Sequence, residues 1–363
     1  MVRHFLSQEA QARFSAARLD VIEEMGRLAV EERCQFVVVC GDVFESNQVQ
    51  RQLLVRALEK MAAFPEMGFF LLPGNHDPVN ASSVYESPTF RQRCPDNVRV
   101  LREFEVVEAV PGVELVPAPW PNKHPTTDLV EAACAGLEAG SALRIVVGHG
   151  AMDSMSPDPG DRRAIGLRGV EERVSAGLVH YVALGDRHST TNVGSTGRIH
   201  YSGAPEPTDY DETDPGNVLV VDLTADRVEV EIRHVGKWRF LQRNWPVSSD
   251  QDIDALEEWL SGEEAKERTV VRLSLVGQVS VAQKARLDDL LEHHADLFGA
   301  IEMWERQSDL VVIPDETDVD HFGLSGFASD ALSELRSMAE GGESAPAARD
   351  ALALLYRLVE ARS

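Results

Sequence analysis

The sequence predicts an α/β protein: a layered helix-and-strand domain, then a small α+β unit, then terminal helices. Three observations carry this. Amphipathic helical patterns alternate with short, unbroken apolar runs through the first half of the chain. The four strongest runs each stop at a glycine followed by a polar side chain. After residue 190 the texture changes to Gly, Thr and short alternating segments, the pattern of antiparallel strands.

Residues 8–33 place Phe14, Ala17, Leu19, Val21, Ile22, Met25, Leu28 and Ala29 at largely helical spacing, with Ser7 as the N-cap. FVVVC (36–40) follows, apolar and mostly β-branched, and reads as a strand covered on both faces in a parallel sheet. Next come a helix over 47–63, a strand at 68–72, weaker strands near 98–101 and 113–117, and a helix over 127–138. LRIVV (143–147) and LVHYVAL (178–184) are further strands. RIHYSG, NVLVVDL, RVEVEIRHV and WRFLQRNW read as antiparallel strands and hairpins completing or edging the sheet. The first domain is therefore drawn as 1–240. A second unit, 241–315, contains a helix (250–260), a strand (268–276), a helix (280–294) and a strand near 300–305. The segment 316–363 follows, starting within the acidic PDETDVD, with two amphipathic helices, 329–339 and 347–361, around the flexible GGESAP.

A chain of 363 residues with 43% hydrophobic content can bury a substantial core. No stretch approaches the roughly 20 apolar residues of a membrane helix, and MVRHFLSQEAQARF lacks the apolar core of a signal peptide. The expected location is the cytoplasm, with no membrane partner. Cys34, Cys40, Cys94 and Cys134 are scattered without CxxC spacing and are expected to be reduced, so neither a disulfide framework nor a thiolate metal site is indicated. The formal charge of −25 repels polyanions and counts against a stand-alone nucleic-acid binder. Bound cations or a partner subunit can still supply a positive field locally.

The chemistry is written at the strand ends. FVVVC runs into Gly41-Asp42, FFLLP into Gly74-Asn75-His76-Asp77, IVV into Gly148-His149, and VAL into Gly185-Asp186-Arg187-His188. In open α/β sheets ligands bind outside the carboxyl ends of strands. Singly, each motif has a plain explanation: Asp after Gly caps a turn, Asn75 or Asp77 caps a helix, a lone His149 is a hydrogen-bonded core residue, and His188 is a surface residue. Four strand ends doing this in order is hard to reconcile with those explanations jointly. Asp42, Asn75, His149, Asp186 and His188 offer carboxylate oxygens, an amide oxygen and imidazole nitrogens, a mixture suited to manganese, iron or zinc. Asp42 is the natural bridge between two such ions, and ions about 3.5–4 Å apart clamp a phosphoryl oxygen and acidify water. On this reading Asn75 ligates, His76 faces the substrate as acid or charge stabiliser, and Asp77 holds its imidazole in place.

At GDVFE, GNHD, GHG and GDRH the sequence resembles the calcineurin-like metallophosphoesterases, and more narrowly the SbcD-type DNA repair exonuclease subunits. The resemblance runs over roughly residues 7–235 and more loosely beyond. It implies a four-layer β-sandwich flanked by helices, two manganese ions and hydrolysis of DNA phosphodiesters. Position by position it implies Asp42 as the bridging ligand, Asn75 and His149 on the second ion, His188 on the first, His76 as the catalytic histidine and Asp77 as its support. The 241–315 unit resembles the DNA-facing capping domain. The terminal helices resemble a segment that docks on an SbcC-type ABC ATPase with a coiled coil; packing on the capping unit is the competing expectation, and a homodimer is a further expected assembly.

Two departures bear on the site. The family opens with a strand ending in Asp-x-His or Asp-x-Gln, and none precedes Asp42, which leads to the expectation that translation begins upstream of Met1. The family's GHxH is here GDRH, with Asp186 a harder ligand than imidazole. Two alternatives follow: a nucleotide or small-molecule phosphoesterase, suited to the acidic surface, and a catalytically impaired scaffold for the ATPase. His124, His180 and His200 are expected to be structural, His293-His294 a solvated helix face, and Trp120 either a cleft or a loop-packing residue. Tyr201-Ser202-Gly203-Ala204-Pro205 resembles the family's loop after the last ligand.

Overall fold

The computed structural model describes residues 3–313 except 157 and 159, together with 327–339, 347, 348 and 351. The described chain divides into two compact units, one of residues 12–238 and one that starts at Arg239 and takes in residues 3–11.

In the first unit, α1 (Gln8–Glu31), β1 (Phe36–Val39), α2 (Arg51–Ala62), β2 (Gly68–Leu71), α3 (Pro88–Arg93) and β3 (Val98–Val100) build one half. The three strands are parallel in the order β1-β2-β3. Then come β4 (Val107–Val110), β5 (Val113–Pro117), α4 (Leu129–Cys134), β6 (Leu143–His149), α5 (Leu167–Ser175), β7 (Tyr181–Gly185), β8 (Thr191–Asn192) and β9 (Ile199–Tyr201). They form a six-stranded sheet, β4-β5-β6-β7-β9-β8, whose centre β5-β6-β7-β9 is parallel.

The period of two along a strand explains how the layers stack. Phe69 and Leu71 face α1 and α2, meeting Ala29 and Met61, while Phe70 and Leu72 face the second sheet, meeting Leu115 and Val147. On the far side, Val146, Val182 and Leu184 pack against Val130 and Ala133 of α4 and Val170 of α5. The result is helix, sheet, sheet, helix, a mixed α/β layering consistent with the fold that the metallophosphoesterase resemblance implies. Each fully buried side chain of the Phe69 or Leu71 kind contributes about 2–3 kcal/mol. A hairpin, β10 (Asn217–Leu223) with β11 (Val228–His234), follows the sheets.

The second unit contains β12 (Arg239–Val247), α6 (Asp250–Gly262), β13 (Thr269–Ser280), α7 (Val281–Ala295), β14 (Ala300–Met303), β15 (Asp309–Ile313) and α8 (Phe327–Ala339). β13 pairs in parallel with β12 along one edge and with β14 and then β15 along the other. Its core joins Leu273 and Leu275 to Ile253, Leu256 and Leu260 of α6 and Leu287 of α7. A capping box at Ser280 and Gln283 starts α7, since each side chain accepts from the other's backbone N–H.

Several expectations need correction. WRFLQRNW is not an antiparallel edge of the first sheet: β12 pairs in parallel in the second unit, where the α6 crossover to β13 permits it. RIHYSG yields β9, which pairs in parallel with β7 and antiparallel with the two-residue β8. FVVV is half-buried rather than covered on both faces, because β1 lies at the edge of its sheet, hydrogen-bonded to β2 alone among the described strands. α3, α5, β4 and β15 are short elements that periodicity did not mark. His294 is buried against Phe298, not solvated. The acidic PDETDVD, the GGESAP segment and most of 347–361 lie outside the described residues. Among the described residues no helix is long and apolar enough to cross a membrane.

Candidate metal centre

β1 and β2 are parallel in one sheet, β6 and β7 in the other, and the polar groups in question all lie at or just past the carboxyl ends of these strands. Asp42 lies two residues past Cys40, in the left-handed region at φ 52°, and Asp186 follows β7 at φ 93°. Non-glycine residues hold such backbone only where their surroundings impose it, and such strain gathers at functional sites. Two glycines make the approach possible. A Cβ on Gly41, itself at φ 94°, would lie 2.1 Å from His149 Nδ1, and a Cβ on Gly74 would lie 2.3 Å from Asp42 Oδ1. Any larger residue at either position would push these side chains apart.

What converges is a set of electron-pair donors. His149 Nδ1 is 2.7 Å from the Cys40 carbonyl, which only accepts, so Nδ1 carries the proton and Nε2 presents its lone pair. That Nε2 lies 3.4 Å from Asp42 Oδ2 and 3.8 Å from Asp186 Oδ1. The outer atom of the Asn75 amide sits 2.9 Å from His149 Nε2, 2.9 Å from Asp42 Oδ2 and 3.1 Å from Asp42 Oδ1. With the amide nitrogen in that place it donates to these acceptors; with the oxygen there, four acceptor atoms crowd together, a set that a cation or a proton on His149 Nε2 satisfies. Among the described residues no three His, Cys, Asp or Glu side chains close around one point by themselves. The converging set is instead one carboxylate, one imidazole and one amide, with Asp186 beside them, and its hard-to-borderline chemistry fits a divalent ion.

Electrostatics agree with this geometry. Burial pushes the Asp42 carboxyl up, but the His149 imidazole and the His76 backbone N–H, 2.9 Å from Oδ1, hold it below the ordinary carboxylate range. Burial pushes His149 down, yet Asp42 and the Cys40 carbonyl leave it raised overall. The His149 side chain is 1% exposed, and Trp120 seals it: the indole is edge-on at 5.9 Å and its Nε1–H donates to the His149 carbonyl at 2.7 Å. Trp120 is thus a packing residue behind the site.

His76 is half exposed, with Nδ1 3.1 Å from the Glu45 carbonyl and Nε2 4.0 Å from Asp42 Oδ2. Asp77 does not hold the His76 imidazole, contrary to expectation. Its fully buried carboxylate accepts from Gly74 N (2.7 Å), Phe44 N (3.0 Å) and Tyr85 Oη (2.6 Å), stapling the loop after β2 to the loop after β1. Burial raises Asp77 despite those three donors, and it raises the Tyr85 phenol well above its usual range.

His188 follows Asp186 by two residues, and its side chain is 51% exposed. Its Nδ1 meets Glu212 Oε1 at 2.8 Å, and the Asp186 and Asp42 carboxylates add to the Glu212 bond in raising its pKa. A cavity of about 330 Å³ opens here, lined by Met152, Met155, Tyr201, Asp186, Arg187 and His188 among others. The structure therefore brings Asp42, Asn75, His149 and Asp186 together, with His76 at the rim and His188 beside Asp186. His200 is buried and stacked on Tyr181, His180 Nδ1 accepts from Arg144 N, and His124 is exposed on a loop. Glu212, Thr208 and Tyr85 were not foreseen. Glu212 stands in an acidic run, DYDETD, and no local pattern distinguishes it from its neighbours.

The sequence model of the calcineurin-like phosphoesterases matches residues 15–189, the stretch from α1 to the His188 loop. Members of that family typically bind two divalent metals and hydrolyse phosphoesters. No curated protein matches the chain.

Proposed function

We propose that this protein is a manganese-dependent phosphodiesterase that hydrolyses DNA, as the nuclease subunit beside a coiled-coil ABC ATPase of the SbcC type. The observation that carries the hydrolytic reading is the convergence of the Asp42 carboxylate and His149 Nε2 on the Asn75 amide at 2.9–3.1 Å, with the half-exposed His76 placing Nε2 4.0 Å from Asp42 Oδ2. The DNA reading is supported by the order GDVFE, GNHD, GHG and GDRH, and the ATPase reading by the amphipathic terminal segment.

Asp42, Asn75, His149, Asp186 and His188 are the residues that would hold the ions, which when bound supply positive charge to a phosphoryl group and acidify a water. The chain does the rest. Asp42, strained and fixed by the His76 backbone N–H, ties the metal-facing loop to the acid-bearing loop. His76 keeps its Nδ1 proton on the Glu45 carbonyl, so Nε2 is the atom that gives and regains the proton of the departing oxygen. Trp120 and the buried His149 ring keep water from the rear of the site.

The test is incubation of the purified protein with manganese and linear DNA, alone and with the ATPase. Expected is DNA cleavage that Asp42→Asn reduces on the order of 10³-fold, the equivalent of several kcal/mol of transition-state stabilisation. No cleavage in either format overturns the DNA reading. A second reading is favoured by the cavity of about 330 Å³ beside His188, within the range of small-ligand pockets, and by the net charge of −25. On that reading the substrate is a mononucleotide or small phosphoester, and its turnover without DNA cleavage selects it.

A further inference from the structure

We propose that Glu212 is the positioning residue of His188: its carboxylate accepts a hydrogen bond from Nδ1–H and so leaves the Nε2 lone pair for a metal ion. This rests on the metal-centre reading above and deepens it by naming the group that makes His188 a competent ligand.

Three observations carry the inference. The first is the contrast in exposure: the His188 side chain is 51% exposed, whereas that of Glu212 is 4% exposed. An ordinary surface ion pair has two wet partners and little consequence. Here a nearly buried carboxylate reaches an open imidazole from beneath, with Oε1 2.8 Å from Nδ1.

The second is that the carboxylate is itself fixed. Thr208 Oγ1 donates to Oε1 at 2.5 Å and Thr208 N donates to Oε2 at 2.8 Å, so neither oxygen is free to rotate away.

The third is that the whole loop is folded back to place this carboxylate. Ala204 N donates to the His188 carbonyl at 2.9 Å, and Thr213 N donates to Ser189 Oγ at 2.8 Å. Gly203, at φ 84°, lies so close that a Cβ would fall 2.8 Å from the His188 oxygen. Asn217 Nδ2 then holds the Asp214 carbonyl at 2.8 Å, where the chain turns through a left-handed residue.

The other two imidazoles of the site follow the same rule with a weaker partner. His149 commits Nδ1 to the Cys40 carbonyl and His76 commits Nδ1 to the Glu45 carbonyl. His188, the most loosely packed metal candidate, is the one given a charged acceptor. Neutral imidazole in water favours the proton on Nε2; a carboxylate on Nδ1 reverses that choice and makes Nε2 more basic.

The test uses the full-length protein labelled at its histidine nitrogens, studied by NMR without metal at alkaline pH, with the His188 signal assigned from the His188→Asn spectrum. In the parent, His188 is expected as the Nδ1–H tautomer; in Glu212→Ala it should move to the Nε2–H tautomer. Manganese titration calorimetry should then show affinity falling about 10–100-fold in Glu212→Ala, with His188→Asn losing at least as much and the double variant no worse than His188→Asn alone. Glu212→Gln, which keeps the length of the side chain, guards against a loop that fails to fold; it should retain the tautomer in part and lose less affinity. An unchanged tautomer, or manganese affinity within twofold of the parent in both Glu212 variants, overturns the proposal. A parent that binds no manganese while the tautomer still switches overturns the metal-centre reading and upholds Glu212 as the group that orients His188.

Discussion

His149 and His188 feel the same two carboxylates, Asp42 and Asp186, but the molecule restrains them by opposite means. His149 sits on β6, 1% exposed, with its Nδ1 on a backbone carbonyl and Trp120 against its ring. It is held because the core around it is held. His188 stands on a loop, half in water, and is held by one buried carboxylate that the loop was folded to deliver. One half of the site is a by-product of packing, and the other is a device. The first cannot be altered without emptying the core, whereas the second can.

That contrast is broken most directly by removing each ring. His149→Ala should destabilise the protein by about 2–4 kcal/mol in urea unfolding, since it empties a buried volume and strands the Cys40 carbonyl. His188→Ala should cost less, about 1 kcal/mol, because the ring packs little and the loss is confined to the imidazole partner of the buried Glu212 carboxylate, which keeps its Thr208 bonds. Both should abolish tight manganese binding. Equal stability losses would show that the two halves are not restrained differently.

Asp77 sharpens the same comparison from inside the packed half. It was expected to support His76, yet its carboxylate serves Gly74 N, Phe44 N and Tyr85 Oη. Asp77→Asn replaces an acceptor oxygen by a donor facing donors, so unfolding free energy should drop by about 1–3 kcal/mol. His76→Asn, half exposed and bound to one carbonyl, should lower turnover while leaving the urea midpoint in place. If Asp77→Asn lowered turnover alone, with stability intact, the stapling role would be wrong and the support role restored.

The same division explains what could be read from the residues beforehand. Phe69 to Leu72 and Ile145 to Val147 were legible as strands because alternate faces meet different layers, and a continuous apolar run is what such burial demands. Asp42, Asn75, His149 and Asp186 were legible because parallel strands must end on one edge, and a glycine before a polar residue marks close approach. Glu212 was not, since it reaches His188 across 24 residues through a loop whose path no periodicity records. Asp77 was misread for a related reason: adjacency to His76 in the chain said nothing about where its carboxylate points. β12 was assigned to the wrong sheet because alternation specifies a strand without naming its partner.

The smallest expected effect lies within the loop that carries Glu212, which holds a second buried glutamate as an internal control. Glu206 is 3% exposed; its Oε1 accepts from Trp238 N at 2.6 Å and Lys237 N at 2.9 Å, and its Oε2 has no partner among the described residues. Burial raises its pKa above 4.5, against the two backbone donors. Glu212, equally sheltered but paired with an imidazole, moves the other way. A carboxyl whose folded pKa is raised contributes stability that is fully present below its unfolded value, near 4.5, and is lost as pH rises through the folded value. Glu206→Gln keeps the acceptor for Trp238 and Lys237 and cannot ionise. Relative to the parent, its urea midpoint should therefore improve steadily from acid to neutral pH, by on the order of 1 kcal/mol, and the difference should flatten above the raised pKa. A difference that stays constant with pH would mean that Glu206 ionises at the same pH in the folded and unfolded chain, its two backbone donors offsetting its burial in full.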